Sequence, residues 1–183
     1  MLQKLMKDLQ GDRIIARDGE IGSLHDAYFD DKRWTLRYLV VDTGRWLPGR
    51  KILISPASVE TSLSSAKKLR LALSRERIEN APPAESDRPK AEQADPHLRS
   101  GAEVIGYGIE ARDGSVGKVR DFIVDETSWA IRDIVVDTRK WWPGGHVHVH
   151  PGYVERIDWN ERKLHLRLTR EQVKLSGAPS ARC

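Results

Sequence analysis

The sequence has almost no cysteine: Cys183, the last residue, is the only one among 183. An intramolecular disulfide is therefore impossible, which is typical of proteins from a reducing compartment. No stretch approaches the roughly 18 to 20 consecutive apolar residues that a membrane-spanning helix needs. Residues 1–9 contain no apolar segment long enough for a signal peptide, so we expect a cytoplasmic protein.

Long runs of one charge are missing as well. The 31 basic and 27 acidic residues are interleaved, and the formal net charge is only +4 with a sequence pI of about 9.3. Nucleic-acid-binding surfaces usually concentrate Lys and Arg, so a nucleic-acid partner is not expected. The sequence also lacks a Ser/His/Asp arrangement, a Walker loop, a GxGxxG motif and a Cys-x-x-Cys motif. It therefore predicts neither an enzyme nor a bound cofactor.

The main feature that the sequence does contain is an internal repeat. The segment Ala16–Gly49 recurs as Ala111–Gly144, at an offset of 111 − 16 = 95 residues and without a gap. About 27 of roughly 70 aligned positions are identical. This period is too long for a solenoid unit and matches a small domain plus its linker. The predicted organisation is a first domain copy at 1–79, a Pro/Ala/charged linker at 80–103, a second copy at 104–175 and a disordered tail at 176–183.

Each copy has the pattern of six short strands followed by a short helix. Asp18-Gly19 between apolar runs is a strong hairpin signal, and the broken alternation around Gly22 indicates a β-bulge or sharp bend. Leu69, Leu71 and Leu73 alternate as in a strand with one buried face. At the final helix, Thr169–Gln172 has the capping-box pattern, whereas Ser74 supplies only a cap residue. The predicted fold class is all-β, with two small six-stranded β-barrels in tandem, each closed by a short C-terminal helix.

The third strand of each copy is apolar on both faces at Leu39-Val40-Val41. A strand that is buried on both sides needs a cover outside the core. We therefore expect another barrel or a terminal helix to pack over it.

Several of these residues carry a family resemblance. They are Asp18-Gly19, Gly22, Trp34, Leu39–Thr43 and Trp46–Gly49, together with their counterparts in the second copy. On this pattern each copy resembles a PRC-barrel domain, the family that includes the cytoplasmic part of the photosynthetic reaction-centre H subunit and the C-terminal domain of the ribosome-maturation factor RimM. The ending 168–174 is similar to that of bacterial tandem PRC-barrel proteins.

The resemblance implies PRC-type barrels and a non-enzymatic protein-interaction or assembly module, with no catalytic residues to transfer. Small domains of this size gain stability by packing together, so self-association as a homodimer is the first functional hypothesis. Association with RNA or the ribosome, and assistance to photosynthetic-complex assembly, are alternatives that rest on the fold analogy.

A tryptophan-containing loop follows the third strand in each copy. Its apolar residues are candidate anchors for a protein partner, because exposed tryptophan often dominates interface energetics. Packing over the end of a barrel is the alternative interpretation. The candidate residues are Trp46, Leu47, Trp141 and Trp142.

Three histidines lie at period two on one predicted strand. His146, His148 and His150 share one face of that strand, and imidazoles in such an arrangement bind Zn, Ni or Cu. His165 is a further candidate ligand if the last strand runs nearby. The alternative is an outward polar strand face, since the first copy has Lys51, Leu53 and Ser55 at these positions.

Two pairs of repeated carboxylates have a functional and a structural interpretation. Asp42 and Asp137 follow an apolar strand, where capping a turn is the expected role. Asp26 and Asp121 are either partly buried carboxylates with a perturbed environment or hydrogen-bonded residues just past the bulge.

Overall fold

A computed structural model gives the fold, and it describes residues 3–48, 50–63, 67–80, 96–140, 142 and 145–176. The chain forms two compact units, which we call unit 1 (Met1–Ala102 with Asp125–Ala130) and unit 2 (Glu103–Val124 with Ile131–Cys183). Most of the described secondary structure is β-strand, which confirms the all-β prediction. Of the helices that the described residues form, none has the length and apolar character required to cross a membrane.

The elements of the first repeat follow the predicted order. They are β1 (Gln3–Leu5), α1 (Met6–Leu9), β2 (Arg13–Ala16), β3 (Gly19–Asp30), β4 (Thr35–Asp42), β5 (Lys51–Ile54), β6 (Val59–Leu63), β7 (Lys68–Leu71) and α2 (Arg75–Glu79).

The elements of the second repeat follow in the same order. They are β8 (Leu98–Ser100), α3 (Gly101–Val104), β9 (Gly108–Ala111), β10 (Gly114–Asp125), β11 (Ile131–Asp137), β12 (His146–Val149), β13 (Val154–Asp158), β14 (Lys163–Leu166) and α4 (Arg170–Ser176). In this order, β8 is the counterpart of β1.

Six strands of unit 1 are hydrogen-bonded in the order β5-β4-β3-β2-β7-β6. Neighbouring strands are antiparallel except β2 and β7, which are parallel. The end strands β5 and β6 are consecutive in the chain and are joined by the 3-10 turn Pro56–Ser58. The six predicted strands are therefore present. Hydrogen bonding between the described strands does not close them into the predicted barrel.

Unit 2 repeats this topology. Its six strands have the order β12-β11-β10-β9-β14-β13, with β9 and β14 as the parallel pair and the 3-10 turn Pro151–Tyr153 between β12 and β13. The alternation predicts the inward-facing residues in part: Leu164 and Leu166 are buried, as are Leu69 and Leu71 in unit 1. Leu73 lies beyond the end of β7 and is half-buried. Equivalent positions therefore build equivalent cores in both units.

A bulge interrupts β3 and β10 at the glycine where the sequence predicts it. The β2–β3 register shifts between Ile14, opposite Gly22, and Ile15, and the β9–β10 register shifts at the matching place, beside Gly117. Gly22 and Gly117 have φ values of +153° and +136°. These positive φ values favour glycine, and the bulges bend the long strand.

The pattern of the third strand predicts that it begins at Trp34 and Trp129, but β4 begins one residue later and β11 two residues later. Trp34 and Trp129 precede β4 and β11 and adopt left-handed backbone conformations, with φ of 53° and 59°. Trp34 is buried and stacks on Phe29, with ring centroids 5.3 Å apart. The ring therefore fills the core from a turn rather than from a strand.

The end of the predicted linker is part of the fold. Residues 81–95 lie outside the described residues, but β8 pairs antiparallel with β3. Leu98 of β8 is buried in a cluster with Tyr28, Val40 and Leu53. This strand provides the expected cover over the outer face of β4, in place of the predicted barrel or helix. At the other end, Ser176 belongs to α4, and the rest of the predicted tail lies outside the described residues.

Candidate functional site

The loop after β4 is held by an Asp-Thr pair that recurs after β11. Asp42 Oδ1 accepts the N–H of Gly44 at 2.9 Å, and Asp137 Oδ1 accepts the N–H of Arg139 at 3.0 Å. Both aspartates therefore cap a turn, as the structural interpretation of the sequence predicts.

The threonine of each pair fixes the rest of the loop. The buried Thr43 hydroxyl lies 2.7 Å from the carbonyl oxygen of Leu47 and 2.6 Å from that of Arg50, so both oxygens share its single proton. In the second copy, Thr138 donates to the carbonyl oxygen of Trp142 at 3.3 Å. The loop backbone is thus tied to a buried side chain in both units.

The two copies differ in charge at this loop. Arg139 of the second copy forms a two-point ion pair with Asp137, with Nη2–Oδ2 at 2.6 Å and Nε–Oδ1 at 3.0 Å. Hydrogen bonds from the Arg139 side chain, and then from its backbone N–H, hold the pKa of the Asp137 carboxyl well below its usual range. The first copy has Gly44 at the position of Arg139, so its loop lacks this cation.

A groove lies between the bulge and the loop in each unit. Groove 1 has a volume of about 510 Å³ and is lined by the bulge around Gly22 and by the loop from Asp42 to Trp46. Groove 2 has a volume of about 350 Å³ and occupies the equivalent place between Gly117 and the loop Asp137–Lys140. The repeat therefore produces one concave site in each unit, at the same point of the fold.

The side chains around the two grooves carry opposite charge. Among the described residues, Glu20 and Asp42 line groove 1 together with the cation Arg45. The lining of groove 2 is mainly cationic, with Asp137 as its carboxylate and with the cations Lys118, Arg139 and Lys140. The duplicated site has therefore kept its place in the fold and changed its electrostatic character.

The predicted tryptophan anchors lie at these loops and are half-buried. Trp46 lines groove 1, and the guanidinium carbon of Arg75 lies 5.8 Å from its ring centroid. Trp142 has Lys174 Nζ at 6.0 Å from its ring centroid. Each ring is thus positioned by a cation of the C-terminal helix of its own unit. Leu47 is half-buried in the same loop, and Trp141 lies outside the described residues.

These helices are held by a contact that the sequence analysis missed. Asp18 Oδ1 accepts the N–H of Arg75, the first residue of α2, at 2.9 Å, and Asp113 accepts the N–H of Arg170 at 2.7 Å. Arg75 Nη2 also donates to the carbonyl oxygen of Glu20 at 2.8 Å. The repeated Asp-Gly dipeptide therefore both turns a hairpin and caps a helix 57 residues away. The recurrence of Arg75 as Arg170 in the second repeat is the sequence signal that could have indicated this contact.

The three predicted metal ligands lie on the exposed face of β12. His146, His148 and His150 are all exposed, but Arg120 Nη1 contacts His146 Nε2 and His150 Nδ1 accepts the N–H of Gly152 at 3.0 Å. Two of the three rings therefore already have protein contacts. Metal binding through this face stays a prediction.

His165 does not join that face. It lies on β14, which is separated from β12 by β11, β10 and β9 in the sheet order. The expectation that the last strand runs beside the histidine strand is therefore wrong. The reason is that β14 pairs with β9, in parallel, and with β13.

The repeated carboxylates at the bulge are buried and hydrogen-bonded. Asp26 accepts the N–H groups of Ala27 at 2.7 Å and Ala102 at 3.0 Å, and the hydroxyl of Ser100 at 2.5 Å. Asp121 accepts the N–H of Phe122 at 2.8 Å. The hydrogen-bonded alternative for these residues is therefore confirmed, and Asp26 anchors the end of the predicted linker.

No protein-family model matches this chain, and no curated protein matches it.

Proposed function

We propose that this chain is a tandem PRC-barrel protein that acts as a non-enzymatic protein-association module, and that its partner is a second copy of the same chain. The repeated motif residues and the six-strand order common to both units support the family proposal. The opposite charge of the two equivalent grooves supports the choice of partner.

The charges favour a contact between groove 1 of one chain and groove 2 of another. The side chain of Glu20 is 50% exposed to solvent, although Arg13 Nη1 lies 3.7 Å from its carboxylate. Lys118 and Lys140 are exposed as well, so these groups are accessible. Complementary charge across an interface directs the encounter and selects the partner. Two grooves of like charge would repel each other, so self-association pairs unlike grooves.

Trp46 supplies the apolar part of this contact. Its ring lies at the wall of groove 1 and is held in place by Arg75. A rigid aromatic side chain loses little conformational entropy on binding, and such residues are typical anchors of interfaces. We therefore assign the anchor role to Trp46 and the charge selection to the groove walls.

A charge swap tests the proposal. Glu20→Lys makes both grooves basic, and the double change Lys118→Glu with Lys140→Glu makes both acidic. Each variant alone is expected to be monomeric at a concentration at which the parent chain sediments as a dimer. An equimolar mixture of the two variants is expected to restore the dimer, because every basic groove then meets an acidic one.

The parent dimer should also weaken as salt is raised from low to physiological concentration, because exposed charges are screened. A parent chain that is monomeric at high micromolar concentration would refute self-association. Variants that dimerise as well alone as when mixed would refute the groove contact. The alternatives of RNA or ribosome association and of photosynthetic-complex assembly stay predictions from the resemblance.

A further inference from the structure

The β13–β14 hairpin of unit 2 brings three side chains with metal-ligating groups together. They are the carboxylates of Asp158 and Glu161 and the imidazole of His165, whose ligand atoms all lie within 4.8 Å of one another. Donor atoms bound to one zinc ion at about 2.0–2.2 Å lie roughly 3.3 Å apart. The three ligand atoms would therefore move closer together on binding, and Glu161 has an exposed side chain in the connecting turn.

The hairpin register explains why these residues meet. Arg156 is paired with His165 and Asp158 with Lys163 across the two strands, so Asp158 and His165 are diagonal neighbours on one face. The connecting turn contains Glu161, whose N–H donates to Asp158 Oδ1 at 2.9 Å. The third ligand is therefore held over the same face by the turn itself.

One ring nitrogen of His165 has no partner. Its Nε2 is buried and makes no hydrogen bond within the part of the chain that the structure describes. A buried polar atom without a hydrogen bond costs free energy, and a bound ion can satisfy such an atom. Coordination of a cation through this nitrogen would remove the cost.

The donor set selects the class of cation. One imidazole nitrogen and two carboxylates form the three-ligand arrangement that zinc uses where a fourth position stays open. Calcium and magnesium prefer oxygen ligands throughout.

Two cationic side chains, Lys163 and Arg156, lie near these ligands. Lys163 Nζ lies 3.4 Å from Glu110 Oε1, so its charge is partly compensated. Arg156 lies across from His165 in the hairpin and opposes cation binding by repulsion. The two carboxylates supply the compensating negative charge. We propose that Asp158, Glu161 and His165 form a site for a divalent transition-metal cation of the zinc class.

The first copy of the repeat provides a built-in comparison. At the equivalent positions it has Leu63, Ala66 and Arg70, which cannot form this ligand set. The site is therefore specific to the second copy. The residues of the first copy also indicate replacements that the same fold accepts.

Calorimetric titration of the full chain with ZnCl₂ tests the site, in a Cys183→Ser background that removes the terminal thiol as a zinc ligand. We expect one zinc ion per chain. His165→Arg, which copies the first repeat, and Asp158→Asn should each weaken binding at least tenfold. His148→Ala should bind as the parent does. Zinc should raise the melting temperature of the parent, because a ligand that binds only the folded state stabilises it.

Three results would overturn the proposal. The first is the absence of both heat and a melting-temperature shift in the parent. The second is unchanged zinc binding in both His165→Arg and Asp158→Asn. The third is loss of zinc binding in His148→Ala, which would assign the metal to β12. Far-UV circular dichroism without metal establishes that each variant is folded. If His165→Arg does not fold, Glu161→Ala in the exposed turn serves as the ligand variant, with the same tenfold expectation.

Discussion

The backbone carbonyl oxygen of Asp42 occupies the space where a side chain on Gly22 would begin. An ideal Cβ at Gly22 would lie 1.9 Å from this oxygen, and a Cβ at Gly117 would lie 1.9 Å from the carbonyl oxygen of Asp137. The bulge and the loop aspartate are thus in direct backbone contact in both units. This close approach forms the floor of each groove.

Gly22→Ala is therefore expected to destabilise unit 1 by about 3 kcal/mol or more, because a backbone segment has to move. Gly117→Ala should do the same in unit 2. Urea unfolding followed by circular dichroism measures both losses.

Gly44→Ala is the matched control for this steric effect. Its φ is +53°, but no atom lies within 4 Å of its ideal Cβ. The substitution should cost only the left-handed conformation, roughly 1–2 kcal/mol. If Gly22→Ala is no more harmful than Gly44→Ala, close packing of the bulge against the loop is not what requires glycine.

The helix contact of the Asp-Gly hairpin gives a second prediction. Asp18→Ala removes the acceptor for the N–H of Arg75 and should lower the free energy of unfolding by about 1 kcal/mol. Asp18→Asn keeps an acceptor oxygen and should lose less than half of that.

Ser74 caps the same end of α2 and allows the two capping contributions to be compared, since its hydroxyl accepts the N–H of Arg77 at 3.4 Å. Ser74→Ala together with Asp18→Ala should cost more than either change alone. A fully neutral Asp18→Ala would show that α2 does not depend on the hairpin.

Local sequence signals predicted much of this fold. The hairpin at Asp18-Gly19 and the alternating Leu69 and Leu71 depend only on neighbouring residues and on one buried face, and both are confirmed. The capping box is confirmed as well: Gln172 N–H donates to Thr169 Oγ1 at 3.3 Å, and Thr169 N–H donates to Gln172 Oε1 at 2.9 Å.

Features that depend on distant partners were not predictable in this way. Leu98 is a single apolar residue in a segment with linker composition, and its burial depends on β3 and β4, which precede it by more than fifty residues. Trp34 looks like the first residue of a strand, because aromatic residues favour strands. Its left-handed backbone is set by the turn from Asp30, whose carbonyl oxygen accepts the N–H of Trp34 at 2.7 Å.

The candidate sites also combine features that local sequence predicts with features that depend on distant residues. The loop tryptophans could be found from composition, whereas the grooves require Gly22 and Asp42 to meet across two strands. A turn near Asn160-Glu161 was predictable, but the face shared by Asp158 and His165 depends on the register of the hairpin. One residue of slip would move every side chain to the other face of the sheet.

The cover over β4 gives a third prediction. Leu98→Ala should destabilise unit 1 by about 2–4 kcal/mol, because it leaves a cavity against Val40 and Tyr28. Thermal unfolding followed by circular dichroism measures the loss. His97→Ala is the neighbouring control, since it removes a partly exposed contact of the imidazole with the Asp31 carboxylate, at 2.8 Å, and should cost less than about 1 kcal/mol. Equal effects of the two changes would mean that β8 is held by its polar contacts instead.

The turn before β4 should make the protein sensitive to acid. Burial of the Asp30 carboxyl raises its pKa, but the N–H groups of Arg33 and Lys32 and the nearby Arg37 outweigh this, so the pKa lies below its ordinary value of 3.8. A carboxyl with a lowered folded pKa stabilises the protein above its unfolded pKa, and this stability is lost as the pH falls through the folded value. The parent should therefore lose stability below about pH 4.

Asp30→Asn keeps an acceptor oxygen for the turn and cannot titrate, so its stability should fall less steeply over this acid range. Asp8→Asn, at an exposed position, makes the same change in charge and should follow the parent. Melting temperatures measured from pH 7 down into the acid range compare the three slopes. Because the expected effect depends on the lowered pKa of Asp30, parallel curves for the parent and Asp30→Asn would exclude this carboxyl as a source of acid sensitivity.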